Sequence, residues 1–198
     1  MLQQVASRRP PKSLRAFGSL ASARRHVSQG VEPLNGMSQR IETASSPTGL
    51  WVWLFPLAYG LHIAEEHWLH FPAWVSALAR PFVSSPQFLF LNAVLWLLMV
   101  AAVLVIRARS SRAWLVVTLA AILGINAGLH LLGSIVTRTY SPGSVTAALL
   151  YIPLVVYALR QVLPWVSRGL AMGAGLLGAV IHGGVMLLAA HPSVLSPL

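Results

Sequence analysis

From Leu50 onward the chain is built of long apolar runs separated by short polar breaks. The runs cover approximately 50–70, 87–106, 113–134, 144–163 and 169–190, each close to the ~20 residues that carry a helix across ~30 Å of hydrocarbon. The breaks lie at Phe71-Pro72 through Pro86, Arg107 to Arg112, Arg138 to Gly143 and Pro164 to Arg168, where Pro, Gly, Ser and Arg collect. This pattern predicts an all-α polytopic membrane protein, a bundle of about five transmembrane helices. Residues 1–46 lack any such periodicity and are rich in Arg, Ser, Pro and Gly, which predicts a disordered basic tail ahead of a 47–198 transmembrane domain. An organelle transit peptide, a regulatory tail and an over-extended start with Met37 as the true first residue all fit that composition; an over-extended start or a plain tail is preferred.

Composition supports the membrane class, since 56% of residues are hydrophobic and 9% charged, against about 25% charged in soluble domains. The net charge of +10 is uneven, with Arg8, Arg9, Lys12, Arg15, Arg24, Arg25 and Arg40 all preceding the first apolar run. That distribution argues against a nucleic-acid surface and for basic flanks that set topology or touch anionic lipid. Arg107, Arg109, Arg112, Arg160 and Arg168 fall on the same side as the basic N-terminus, whereas Arg80 and Arg138 fall on the other. The N-terminus is therefore expected in the cytoplasm and the C-terminus outside. A single lysine among fourteen basic residues suggests a GC-rich bacterial genome, and hence a bacterial plasma membrane. The chain has no cysteine, so any metal would need nitrogen and oxygen ligands.

Two of the four acidic residues, Glu65 and Glu66, lie inside the first apolar run, where a charge costs at least ~2.5–3.5 kcal/mol and needs a partner. Residues three and four apart share a helix face, so His62 stands above both carboxylates. Under the predicted topology His62, His130 and His182 lie near the outer ends of the first, third and fifth runs, roughly 6–12 Å from the interface at 1.5 Å per residue. Asn126 is one turn from His130 and Asn92 lies at a similar depth. The connection Thr137-Arg138-Thr139-Tyr140-Ser141-Pro142-Gly143 falls on the same side and is placed to cap this cluster, Gly143 allowing close backbone approach.

His62, Glu66, His130 and His182 are accordingly the candidate metal ligands, their rings expected to converge with nitrogens within about 3–4 Å of one another. Glu65 and Glu66 are the candidate catalytic carboxylates, one of them a general base toward a water on the metal. Asn126, Asn92 and Tyr140 are candidates for holding a further ligand. Nitrogen and carboxylate donors suit a divalent transition metal, zinc favoured over iron or manganese. His67, His70, His26 and His191 read as interfacial, tail or terminal residues, and Trp51, Trp53, Trp68 and Trp74 as an interfacial belt.

The segment His62-Ile63-Ala64-Glu65-Glu66, with Asn126 to His130 and the late His182, resembles the HXXEE-motif family of bacterial multi-pass membrane proteins over about 50–190. The resemblance implies a metal-binding membrane protein and leaves its chemistry open. Expected partners are the lipid bilayer and a lipid or other apolar small molecule, with no nucleic acid; the oligomeric state is not legible. A hydrolase-like membrane enzyme is the first expectation, a small transporter or proton-coupled carrier on the same His/Glu cluster the second, and a non-catalytic scaffold the third. The absence of two matching halves weighs against the carrier.

Overall fold

The computed structural model describes residues 48–78 and 84–190; the expected tail 1–46, with His26, and also Arg80 and His191 lie outside them. Among the described residues the chain is helical throughout and contains no strand. Helix α1 is Leu54–Trp68, prolonged backward by a 3-10 turn at Leu50–Trp53. It is followed by α2 at Phe71–Leu78, α3 at Ser85–Ala108 and α4 at Trp114–Thr137. Helix α5 runs in three parts, Ser144–Thr146, a π-helical turn Ala147–Tyr151, and Ile152–Val162, and α6 is Arg168–Ala190.

Four helices among the described residues, α3 to α6, are long and apolar enough to cross a membrane. Their limits fall within three residues of the predicted runs. The first run is different. Helix α1 has 15 residues, roughly 22 Å at 1.5 Å per residue. Only with the 3-10 turn, four residues rising ~2 Å each, does it approach the ~30 Å of a bilayer core.

The first break is also more than a connection. His70 adopts a left-handed conformation (φ 58°) that ends α1, and its carbonyl then accepts from the amides of Ala73 and Trp74 to start α2. Pro72 in the first turn loses nothing there, because its missing N–H would have no intrahelical partner. Helix α3 starts at a Ser84 cap whose side chain accepts from the Gln87 amide at 3.3 Å, with Pro86 in the first turn. Helix α4 ends at Arg138, again left-handed (φ 56°).

Helix α4 is central, burying Val116, Leu119, Ala120, Leu123 and Ala127 between α5 and α6. Helices α3 and α6 instead leave Leu97, Leu98, Leu104, Leu176, Val180 and Leu187 exposed. Apolar rows of this kind on helices of spanning length are what hydrocarbon surroundings accept.

Helices α4 and α6 are parallel and close. Thr118 Oγ1 donates to the Ala174 carbonyl at 3.1 Å, and a Cβ at Gly178 would lie 2.6 Å from the Thr118 carbonyl and 2.7 Å from Ala121 Cβ. Ala174, Gly178 and His182 recur every four residues and so form one stripe, small enough over its first two positions for backbones to touch. Gly178→Ala should therefore force the pair apart at a cost of about 1–3 kcal/mol, lowering the thermal midpoint in detergent. Gly173→Ala, with nothing within 4 Å, should not. Equal midpoints would show that the α4–α6 contact is not what the stripe sustains.

Candidate metal centre

His62 and Glu66 lie one turn apart on the inner face of α1, and both are buried, with relative exposures of 0% and 3%. His130 reaches the same point from α4, 5% exposed. His62 Nε2 is 3.6 Å and His130 Nε2 3.0 Å from Glu66 Oε1, and the two imidazoles meet edge to face at 4.9 Å. One ligand atom from each of the three residues lies within 4.8 Å of the others, so the group could hold a metal ion. Two ligands each ~2.0–2.2 Å from one ion and 90–120° apart stand about 3.0–3.6 Å from each other, which the two histidine–glutamate separations match.

The far sides of the rings fit the same use. His62 Nδ1 is 2.7 Å from Thr146 Oγ1, whose hydroxyl donates to the Gly143 carbonyl at 3.2 Å, so the imidazole is the donor and Nε2 is left with its lone pair. His62 Nε2 is buried without a hydrogen-bond partner. His130 Nδ1 faces Ser141 Oγ at 3.1 Å, and a proton there frees its Nε2 in the same way. Metal-bound histidines are usually held by such a bond on the other nitrogen. A proton on His130 Nε2 also balances Glu66, but it leaves His62 Nε2 unsatisfied; a cation among the three satisfies all of them.

Gly143 makes this packing feasible. Its φ of 101° is left-handed, and a Cβ there would stand 2.8 Å from Cε1 of both His62 and His130. The close approach expected of Gly143 is thus realised against the rings.

Glu65, expected beside Glu66, takes no part in the cluster. Its carboxylate accepts from the Gly143 amide at 3.0 Å, the Val145 amide at 3.2 Å and the Thr146 amide at 2.8 Å, and from the Tyr140 hydroxyl. An anion at the first amides of a helix is favoured by their free N–H groups and by the helix dipole. Glu65 is therefore an anchor that binds α1 to the start of α5. Tyr140, expected to hold a ligand, lies on this anchor; partial burial and then the Glu65 hydrogen bond push its hydroxyl pKa up to about 12, so it remains a donor.

His182 lies outside the three-residue group. It is 7% exposed and lines, with Glu66, His130, Asn92 and Asn126, a cavity of about 410 Å³. The rest of the wall is chiefly apolar, and α2 supplies Phe71, Trp74 and Val75. Trp74 is thus a cavity residue as well as one near the expected interface: its ring stacks on Phe71 at 6.0 Å and its indole donates to Thr139 Oγ1 at 3.2 Å. Asn92 is satisfied, accepting from Tyr59 and donating to its own helix at Phe88. His67 and His70 are exposed, as expected.

Sequence reasoning missed Thr146 and the π-turn residue Tyr151, whose ring lies 4.5 Å from that of His62. Nothing in an apolar run marks a threonine or tyrosine as a partner of a histidine more than eighty positions away. Ser141 lay within the connection expected to cap the cluster, and only its partner was unseen.

These features define a class: a polytopic helical protein with a buried His/Glu group on the wall of an apolar cavity. Residues 53–158 match the family described as "Protein of unknown function with HXXEE motif", and the chain belongs to that family. The match takes in His62 to Glu66 and Asn126 to His130 but ends before α6, so His182 lies beyond it. No curated protein and no solved structure matches the chain.

Proposed function

We propose that this is an integral membrane protein that holds one divalent metal ion, zinc in preference to iron or manganese, on His62 Nε2, His130 Nε2 and Glu66, and acts as a hydrolase-like enzyme on a lipid or other apolar molecule. The observation that carries the reading is the convergence of two imidazole Nε2 atoms on one buried carboxylate oxygen, with each Nδ1 on a hydroxyl. Two histidines and one glutamate make the three-ligand set of catalytic zinc sites, which keep a fourth position open, whereas structural sites close all four. Glu66 and His130 both border the cavity, so the open position faces the space a substrate would fill. A bound zinc would supply a Lewis acid and an activated water at neutral pH. Thr146 and Ser141 orient the rings, Glu65 holds α5 against them, and the apolar wall excludes bulk water.

With the N-terminus in the cytoplasm, as the basic loops favour, the cluster lies in the outer leaflet and the cavity takes its substrate laterally from lipid. Elemental analysis of detergent-purified protein should give one transition-metal ion per chain. Glu66→Gln and His130→Ala should each lose at least ~90% of it, and the double variant should lose little more, because groups sharing one ion act as a unit. Native protein without stoichiometric metal, or single variants with native content, would overturn this reading.

A further inference from the structure

Two buried polar atoms on the cavity wall have no hydrogen-bond partner: Asn126 Oδ1 on α4 and His182 Nε2 on α6. The register of those helices sets the two residues on facing turns. Thr118 meets Ala174 and, one turn on, Thr118 and Ile122 meet Gly178; a parallel pair advancing by four residues brings Asn126 opposite His182 at the next turn. Unpaired buried polar atoms are uncommon because each forfeits the solvation that water gave it. The other polar groups of the cavity wall are already partnered, Glu66 with the two histidines, His130 with Ser141 and Asn92 with Tyr59 and Phe88, and the rest of the wall, from Phe71, Trp74, Leu95, Val185 and Met186, is apolar.

We infer that the cavity binds an apolar molecule through a single hydroxyl head group held between Asn126 Oδ1 and His182 Nε2. An amide oxygen can only accept, while a neutral imidazole nitrogen can carry a proton and donate. A hydroxyl is donor and acceptor at once, so one such group satisfies both atoms: its hydrogen goes to Asn126 and its oxygen accepts from His182. A carboxylate would face the amide oxygen without a proton, an ether would leave it unpaired, and an ammonium would suit only the tautomer of His182 in which Nε2 accepts. The cavity volume of about 410 Å³ is within the ~300–1,000 Å³ of small-molecule pockets. The inference rests on the proposed function and names the molecule the cavity holds as a long-chain or bulky alcohol, the product that hydrolysis of its ester would release, while the two polar atoms stand apart from the three proposed metal ligands.

The test uses the full chain in phosphatidylcholine nanodiscs, with 12,12,12-trifluorododecan-1-ol and its methyl ether as probes followed by fluorine NMR. The alcohol should bind about tenfold or more tightly than the ether, the ether leaving the buried Asn126 Oδ1 unpaired. Asn126→Leu should abolish that preference while keeping ether binding, which also reports an intact cavity; His182→Phe should weaken both probes and leave the preference, because the ether oxygen accepts from His182 as the hydroxyl does. Equal binding of alcohol and ether to the native chain, as expected of a cavity that holds only water, would overturn the inference, as would a preference that survives Asn126→Leu or a failure of both probes to bind. Running each arm with and without chelator separates the two readings. A preserved preference in protein that never carries metal overturns the metal centre and supports the alcohol site; stoichiometric metal without a preference does the reverse.

Discussion

Gly143→Ala should dismantle the His62–His130 pair. The native φ of 101° is one that an L-residue holds at about 1–2 kcal/mol. The new Cβ would in addition stand 2.8 Å from Cε1 of both rings. Neither ring is free to turn aside, because His62 is hydrogen-bonded to Thr146 and His130 to Ser141, one hydroxyl on each side of Gly143 in the chain. Overpacking of this sort costs about a further 1–3 kcal/mol. The expected outcome is a clearly lowered thermal midpoint and at least ~90% loss of bound metal. Gly128→Ala, on α4 with no neighbour within 4 Å, controls for the change itself. A Gly143→Ala protein that melts and loads metal like the Gly128→Ala protein would show that the glycine is not what admits the rings.

Glu65→Ala should unfold the protein more readily than any change at Glu66, although the two residues are neighbours in one motif. It removes the common acceptor of three amides at the start of α5 and of the Tyr140 hydroxyl. Tyr140, about half exposed at 47%, can turn to solvent, but amides at a packed helix start have less recourse, and each unsatisfied group costs about 1–3 kcal/mol. A total of about 2–5 kcal/mol is expected. Glu65→Gln, which keeps an accepting oxygen but not the charge that the helix dipole favours, should lose less. The metal readout should run the other way: Glu66→Gln keeps the thermal midpoint of the metal-free native protein and loses the ion, while Glu65→Gln retains the ion in whatever fraction stays folded. Differential scanning fluorimetry and elemental analysis on the same preparations check both. If Glu65→Gln abolishes metal binding without lowering the midpoint, Glu65 belongs to the centre and the assignment of an anchor fails.

The contrast between these carboxylates shows where reading the chain by itself reached its limit. Helix periodicity places residues three and four apart on one face, so Glu65 and Glu66 stood in equivalent relation to His62. Only the arrival of the α5 amides at Glu65, and of His130 from α4 at Glu66, separates an anchor from a ligand. The same holds for His182. Its depth was legible from its place near the end of an apolar run, yet depth leaves rotation about the helix axis open, and in the packed structure it lines the cavity, outside the three-residue group.

What the sequence determined by itself was whatever depends on local hydropathy and spacing. The limits of α3 to α6 follow from runs that water would not solvate and from the arginines and prolines that interrupt them. The pairing of His62 with Glu66 follows from one helical turn, and the permissive backbone of Gly143 from a Ser-Pro-Gly connection. Tertiary structure decided the rest, because those choices rest on contacts between residues far apart in the chain. Helix α2, read from sequence as part of a break, became a wall of the cavity once Phe71 and Trp74 had apolar neighbours to cover. Thr146 and Ser141 became the supports of two imidazoles because the left-handed turn at Gly143 lays the start of α5 across the histidines of α1 and α4.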